Sequence, residues 1–516
     1  MESRREERGE REGGREGGRR KSKQRSSNHD ILKAPTHRIE RMVPVEVIIQ
    51  QIAVRMVEQV LKMVEEKGIH DIGALVGGLL QIVKSSVLEM IKGILGEADA
   101  ALVAARAERA KDGLRIKQRN VPRKLVTEIG ELEYERTYFE TKEGERYHLL
   151  DYVIGVEKGE RVSKALSALL VQEATHHSMG KAAKNLGAAV SRQTVNNRVL
   201  ALREVVKDAV PAQTTPRELH VFADEDHVHM KDGRSVIVPL VTVTEGIDTA
   251  TRRHKTINPV HFEGYGMSNT SFFEGISSFL HKKYDMQRVE CVYMHADGGM
   301  WIRTAKDWLP NVIPVMDGFH LEKRLRQISR LNGAAGFIHS MRKAMCSKDR
   351  DRFQEICHSI HAKQDERGKL RMTEHMNFLL NNWDAVVKRM SGTVCGSCTE
   401  PLVSHILSAR LSRTPMAWSK HGLRQMAMLR VYVQNGESVS AKDIRISRCK
   451  KELIRDEQNL RDGFKKYHAY ADRQIDDFLR KKMDWSIFQP SVPLHRKVDG
   501  TSVFLLACAR LRDLSA

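Results

Sequence analysis

Two short stretches carry the residue types with the clearest chemistry. In Leu219-His-Val-Phe-Ala-Asp-Glu-Asp-His-Val228 and Val292-Tyr-Met-His-Ala-Asp-Gly-Gly-Met-Trp301, an apolar run leads to an aspartate, Asp224 and Asp297. Segments rich in β-branched and aromatic residues form strands, and mixed α/β folds bind ligands at strand carboxyl ends. Two carboxylates so delivered can hold a metal ion, and Glu400, in Cys395-Gly-Ser-Cys-Thr-Glu-Pro-Leu-Val-Ser-His405, would complete the set. Such a set suits phosphodiester transfer, in which two metal ions about 4 Å apart activate the attacking oxygen and stabilise the leaving one. Mg²⁺, or Mn²⁺ in its place, takes oxygen ligands and keeps several waters, so a few acids suffice. The expected catalytic and metal-binding trio is therefore Asp224 as bridging ligand, Asp297 on a neighbouring strand and Glu400 at the start of a helix. Pro401 then falls in the first helical turn, where its missing N–H costs least.

Each acid also has a plainer reading. Asp297 before Gly298-Gly299 could simply form a turn, and Glu400 could be an acid favoured by a helix dipole. Asp226 rivals Asp224, and Asp317 has His320 one helical turn away, so Asp226, Asp317 and His320 are accessory candidates. Cys395, Cys398 and His405 fall short of the four ligands a structural zinc wants, the other cysteines being scattered singly. No phosphate-cradling Walker loop, nucleophile elbow or dinucleotide fingerprint is present.

Positioning three acids calls for a sheet and a facing helix. The strand ending at Asp224 runs on to His227-Val-His-Met230, and an Asp232-Gly233 turn leads back into Ser235-Val-Ile-Val-Pro-Leu-Val-Thr-Val-Thr244, a hairpin. A third strand follows, then a helix over 271–283, a strand from Val289 to Ala296, a helix opening at Gly298 and a strand at Val312-Ile-Pro-Val-Met316. That order is the order of a ribonuclease H-like fold, so the expected class is α/β with a ribonuclease H-like catalytic core. Its first part spans 218–325. Residues 326–392 read as an all-α insertion, too long for a loop. The second part, 393–436, carries the glutamate, with Val403, Ile406, Leu407 and Leu411 marking its helix.

Upstream, residues 1–43 are mostly Arg, Glu, Gly, Ser and Lys and read as a disordered basic arm. Residues 44–111 turn helical, with Val45, Ile48, Ile49, Ile52, Met56, Val60 and Val64 at three- and four-residue steps. A more uniformly apolar block, Ile72 to Leu95, completes a bundle or partner-docking pair. Residues 112–150 form a small antiparallel unit with turns at Asn120-Val-Pro122 and Ile129-Gly130, and its Arg115, Lys117, Arg119, Arg123 and Lys124 suit a phosphate backbone or plain solubility equally. Within the helical stretch 151–210, a small-residue helix from Ser178 to Gly187 and a Ser191-capped second helix fit a helix-turn-helix. Arg192, Gln193, Asn196 and Arg198 would then meet DNA, although ordinary helical hairpins share the pattern. Residues 437–516 are a basic helical C-terminal region.

Charge points the same way. The formal net charge is +20 over 516 residues, with an isoelectric point near 9.6, and a polyanion would be drawn to such a surface. Length implies two to four domains. Seven cysteines, none before Cys291, do not look like a disulfide framework and favour a reducing compartment. No apolar stretch is expected to reach the roughly 18 residues of a membrane span, and the first residues lack the apolar core of a leader, so a soluble cytoplasmic protein with no membrane partner follows.

Four motifs in order resemble a known family: Ala223-Asp-Glu-Asp-His-Val228, Asp297-Gly-Gly-Met-Trp-Ile302, Met316-Asp-Gly-Phe-His-Leu-Glu-Lys323 and Cys398-Thr-Glu-Pro-Leu-Val-Ser-His405. With Ser408-Ala-Arg-Leu-Ser-Arg413 and Trp418 behind them, they resemble the bacterial ISLre-type insertion-sequence transposases, related to the Mutator-like DDE transposases. The resemblance runs from about Arg115 to Gly436. It implies a ribonuclease H-like core with a helical insertion before the glutamate, Mg²⁺ dependence, and cutting and joining at the element's inverted repeats. The implied triad is Asp224, Asp297 and Glu400; the family pattern has glycine in place of Ala296 and Pro401. Under this reading Arg410, Arg413 and Lys420 would meet phosphates, and Trp383 or Trp418 would stack on a base or simply pack. The implied partners are element-end and target DNA and further copies of the chain on paired ends, in a bacterial, nucleoid-associated setting. The alternatives are a non-catalytic DNA-binding regulator and a ribonuclease H-like nuclease that cuts without joining.

Overall fold

The N-terminal apolar blocks pair first. In the computed structural model, which describes residues 45–444 apart from 68–70, 249, 251–254, 395, 397 and 415, α1 (Val45–Lys67) and α2 (Ile72–Ala104) form an antiparallel hairpin. Arg55 pairs with Glu89, and Met63 lies against Gly78. The expected arm over 1–43 and the C-terminal region beyond 444 lie outside the described residues. One expectation is corrected: among the described residues a single helix, α2, is long and apolar enough to cross a membrane, with a mean hydropathy of 1.5 over an 18-residue window.

After α3 (Arg106–Lys111), β1 (Arg115–Thr127), β2 (Gly130–Glu140) and β3 (Arg146–Tyr147) form a small antiparallel sheet. The turn expected at Asn120-Val-Pro122 is instead an irregularity within one long strand. The register slips between Gln118 and Val121, and Asn120 takes a φ of 55°. Leu95, Ala98 and Leu102 at the far end of α2 share a core with Leu125, Leu132, Phe139 and with Leu149 and Leu150 of α4 (Leu149–Val153).

Three serine-capped helices come next: α5 (Lys164–Glu173), α6 (Met179–Asn185) and α7 (Arg192–Leu200), capped by Ser163, Ser178 and Ser191. Gly187, at a φ of 60°, closes α6 in the left-handed conformation that glycine tolerates best.

Alternating apolar residues then build the central sheet. Its strands are β4 (Glu218–His229), β5 (Ser235–Thr244), β8 (Val260–Glu263), β9 (Cys291–Ala296) and β10 (Val312–Met316), while β6 (Gly246–Asp248) and β7 (Lys255–Ile257) form a separate ribbon. The order across the sheet is β10-β9-β4-β5-β8, with β10, β9 and β4 mutually parallel and β5 antiparallel to both neighbours. Leu219, Val221, Ala223, Val292, Met294 and Ala296 pack beneath Phe272, Phe273 and Ile276 of α8 (Asn269–Lys283).

Only helices and turns fill 326–392. After α9 (Gly318–Ser329) come α10 (Ile338–Cys346), α11 (Arg350–His361), α12 (Glu366–Asn381) and α13 (Trp383–Met390), with their own core around Phe353, Ile356, Leu379 and Val386. Then α14 (Thr399–Val403) runs through a π-turn (Ser404–Ser408) into α15 (Ala409–Leu411), and α16 (Lys420–Gln434) follows. These last helices share a core with α5 to α7 and with Val228, Val238 and Leu240 of the sheet. The whole is a mixed α/β structure.

Candidate active site

Register brings the acids together. Ala223 on β4 lies opposite Ala296 on β9, and Ala296 opposite Met316 on β10. Each of the three is followed directly by an aspartate, so Asp224, Asp297 and Asp317 stand at one level. Asp297 and Asp317 follow the last residues of β9 and β10, but the strand expected to end at Asp224 runs on to His229, paired beyond Ala223 with β5 alone. Below them Phe222 stacks on His295 at 4.5 Å between ring centres, and His220 Nδ1 lies 3.1 Å from His295 Nε2. Burial pushes His295 down to about 3 and His220 downward as well, so this layer is neutral near pH 7.

Above it lie three acids and one imidazole. Burial drives Asp224 up to about 6, with the charges of Asp297 and Asp317 adding to the rise, against the pull of the Glu225 backbone N–H and of His320. Asp317 is fully buried, which alone would raise it. Hydrogen bonds from the His320 side chain and backbone N–H and from the Thr399 hydroxyl hold it below the usual range instead. His320 Nδ1 lies 3.1 Å from Asp317 Oδ1; that bond raises the imidazole, and Asp224 and Asp297 raise it further. Asp317 also caps α9, accepting from the His320 N–H. Asp297, half-buried, accepts from the Gly299 N–H at 2.8 Å, so it forms the turn as well as closing the strand. Gly298, at a φ of 92°, has no room for a side chain: a Cβ there would meet the Asn382 amide of the insertion at 2.6 Å.

Glu400 stands on the first turn of α14, which packs against β4, and is exposed. The residue before it, Thr399, is the one that bonds Asp317. A second tie lies further along: the Ser408 and Ser412 hydroxyls donate to Asp226 Oδ1 at 3.0 and 2.8 Å. Asp226 therefore anchors the glutamate's helix to β4, where the sequence offered it as a rival metal ligand. Its other oxygen is buried with no protein partner, and burial raises its pKa. Arg430 fixes the π-turn from the far side, donating to the Ile406 carbonyl at 2.8 Å and the His405 carbonyl at 2.6 Å. Sequence reasoning missed Thr399, Ser408, Ser412 and Arg430; the one signal for Arg430 was a cation inside the apolar run Met426–Val431. Among the described residues, no three His, Cys, Asp or Glu side chains are gathered tightly enough to hold an ion as they stand.

The residues expected to meet DNA fall in different environments. Arg192 and Gln193 are exposed at the start of α7, where Gln193 bonds Asn197, and Asn196 is half-buried. Arg198 is half-buried, with burial lowering its pKa against the pull of Glu160 and Glu157. Arg413 is exposed and bonds the Ser404 hydroxyl, and Lys420 is exposed at the start of α16. Arg410 is a correction. It is buried, donates to the Ala174 carbonyl at 2.7 Å and lies over Trp418 at 5.0 Å, so its guanidinium braces the core and does not face a phosphate. Trp383 and Trp418 are both packed inside.

Fold and site thus define a mixed α/β protein with an acidic site where two parallel strands end beside a third that runs on. The chain belongs to the family described as Uncharacterised protein family (UPF0236), which matches residues 66–447. It is 30% identical over 400 residues to a UPF0236 protein of Caldanaerobacter subterraneus subsp. tengcongensis whose name joins four locus designations, covering 76% of this chain and 84% of that one. Another from the same organism, whose name joins eleven, is 29% identical over 399 residues, or 76% of this chain and 84% of the relative. A UPF0236 protein "in vanSb 3'region" of Streptococcus gallolyticus is 23% identical over 335 residues, covering 61% and 73%.

Proposed function

We propose that this chain is a DDE transposase of an insertion sequence, cutting and joining DNA at the ends of its element. The observation that carries the reading is the row of acids at one level on three adjacent strands, Asp224, Asp297 and Asp317, with the helix of Glu400 tied to it through Thr399. The strand order supports a ribonuclease H-like core: the first three strands are antiparallel neighbours, and the last two add in parallel on the far side of the first. A protein whose name joins eleven locus designations of one organism is what an element that multiplies within a genome would leave.

The donor set fits a divalent cation. Asp224 is held near 6 by burial and by neighbouring acids, a repulsion that a bound cation would relieve. Asp224, Asp297 and Glu400 would hold Mg²⁺ or Mn²⁺, which when bound supplies Lewis-acid stabilisation of the attacking and leaving oxygens. The chain's own part is positional. Asp317 fixes His320 and the start of α14, Asp226 holds the rest of that helix, and the neutral Phe222–His295 layer keeps water from beneath the acids. Exposed Arg192, Gln193, Arg413 and Lys420 would grip the DNA backbone around the site.

The test uses purified chain, paired element-end DNA and Mg²⁺ or Mn²⁺. Wild type is expected to nick and join, and Asp297→Ala to bind the same DNA but cut it at least about a thousandfold more slowly. Equal strand transfer from both would remove the catalytic assignment. Binding without cleavage by wild type would leave a DNA-binding regulator, and cutting without joining a nuclease.

A further inference from the structure

The first half of α2 is an apolar helix left in the open. From Ile72 to Val83 its only polar side chain is Gln81. Ile72, Val76, Leu80, Val83 and Val87 are all exposed, Ile72 at 72% and Leu80 at 55%, and α1 adds exposed Val54, Val57 and Leu61. These eight side chains leave about 600 Å² per copy, so a pair of copies would bury on the order of 1,200 Å², the lower edge of a specific interface. Single surface apolar residues need no cover, but this many on one helical hairpin mark an interaction surface.

Spacing identifies what covers it. Val76, Leu80, Val83 and Val87 are separated by four, three and four residues, the a/d rhythm of a coiled-coil seam. The interval series reads the same in both directions, so a second α2 running antiparallel meets the first in register. Val76 then layers on the partner copy's Val87, and Leu80 on its Val83. A two-fold pairing needs this self-complementarity. Beside the seam an added Cβ on Gly77 would meet nothing within 4 Å, leaving room for a close helix approach. Lipid suits the surface less well. The other half of α2 is built into the small-sheet core, and the hairpin rim carries Arg55–Glu89 and Lys62–Glu66 ion pairs with each side chain more than half exposed.

We infer that a second copy of this chain docks on the α1–α2 hairpin, forming an antiparallel four-helix interface centred on Leu80 and Val83. The surface is remote in sequence from the acids, and its test uses neither metal nor DNA, so the inference stands or falls apart from the catalytic reading.

Light scattering of the full chain at micromolar concentration is expected to give a dimer, and Leu80→Glu with Val83→Glu a monomer with unchanged far-ultraviolet circular dichroism. The dissociation constant should rise at least about a hundredfold. Should that double variant fail to fold, the register decides: Val87→Glu should weaken the dimer, and adding Val76→Lys to the same chain should restore it, because those positions face each other across the two-fold axis. A monomeric wild type, or a dimer that survives both substitutions, would overturn the inference. A monomer that sediments with phosphatidylglycerol vesicles would overturn it in favour of a lipid surface.

Discussion

Two buried aspartates in one chain meet opposite company. In the small sheet Asp151 is enclosed by cations and a donor: Tyr134 gives its hydroxyl at 3.0 Å, Arg123 approaches at 3.3 Å, and Arg136 pairs closely. Arg123 reaches on to the Glu157 and Glu160 carbonyls, so this ion cluster staples the sheet to the following loop. In the central sheet Asp224 has two other aspartates for neighbours, set against one backbone N–H and the His320 imidazole. Folding encloses the first acid in cations and leaves the second with its pKa raised in spite of His320. A buried acid whose pKa the fold holds well above its ordinary value is where binding chemistry is to be sought.

Breaking the satisfied cluster should have the largest effect on stability. Asp151→Ala strands two largely buried guanidinium groups, which costs about 3–5 kcal/mol when one partner of a buried pair is removed. Urea unfolding of the full chain should show it as a large fall in midpoint. Acting on the other acid should do the reverse. Asp224 titrates at about 6 when folded against 3.8 when unfolded, so the native state holds its proton more tightly. The stability linked to that proton is present below about pH 4 and lost as pH rises through 6. Asp224→Asn escapes the loss, and thermal unfolding should find it more stable than wild type at pH 7.5, by on the order of 3 kcal/mol at most, and indistinguishable at pH 4. Mg²⁺ should narrow the gap by stabilising wild type alone.

The ends of β9 and β10 were legible because an apolar run followed by an acid is a local pattern, and the Asp232-Gly233 hairpin turn is equally local. The end expected at Asp224 was not, because β4 runs on to His229 along β5. Register is not. Nothing near Met316 says that it aligns with Ala296, so Asp317 read as an accessory although it completes the row. Contacts across 182 and 186 residues, from Ser408 and Ser412 to Asp226, leave no trace in either segment alone. Arg410 misled for another reason: a basic residue just after the glutamate was placed to meet phosphates, and sequence does not tell which face of a short helix turns inward. The apolar block from Ile72 was read correctly as helix, but its exposure depends on which distant segments pack on it, and that is not written in the block itself.

A middle-sized effect should separate holding the glutamate from supplying it. Thr399→Val removes the hydroxyl that bonds Asp317 and keeps the shape, so stability should fall by about 1–2 kcal/mol. Cleavage should slow about tenfold if the tether positions Glu400. Thr399→Ser, which restores the donor, should recover both. Loss of stability with unchanged cleavage would make Thr399 a helix anchor only.

The smallest effect sharpens the comparison on the basic side of the molecule, where Arg192 and Arg410 share a charge but not an environment. Arg192 is exposed at the start of α7, so if it meets a phosphate, Arg192→Ala should weaken DNA binding several-fold and lower the salt slope by about one counterion. Arg410 is enclosed, its guanidinium on the Ala174 carbonyl and over Trp418. Its loss should lower the melting temperature while the salt slope stays at the wild-type value. The two slopes, measured by fluorescence anisotropy across a potassium chloride series, test the assignment directly. If Arg410→Ala shifts the slope and Arg192→Ala does not, the DNA path crosses the helices after Glu400 and bypasses α7.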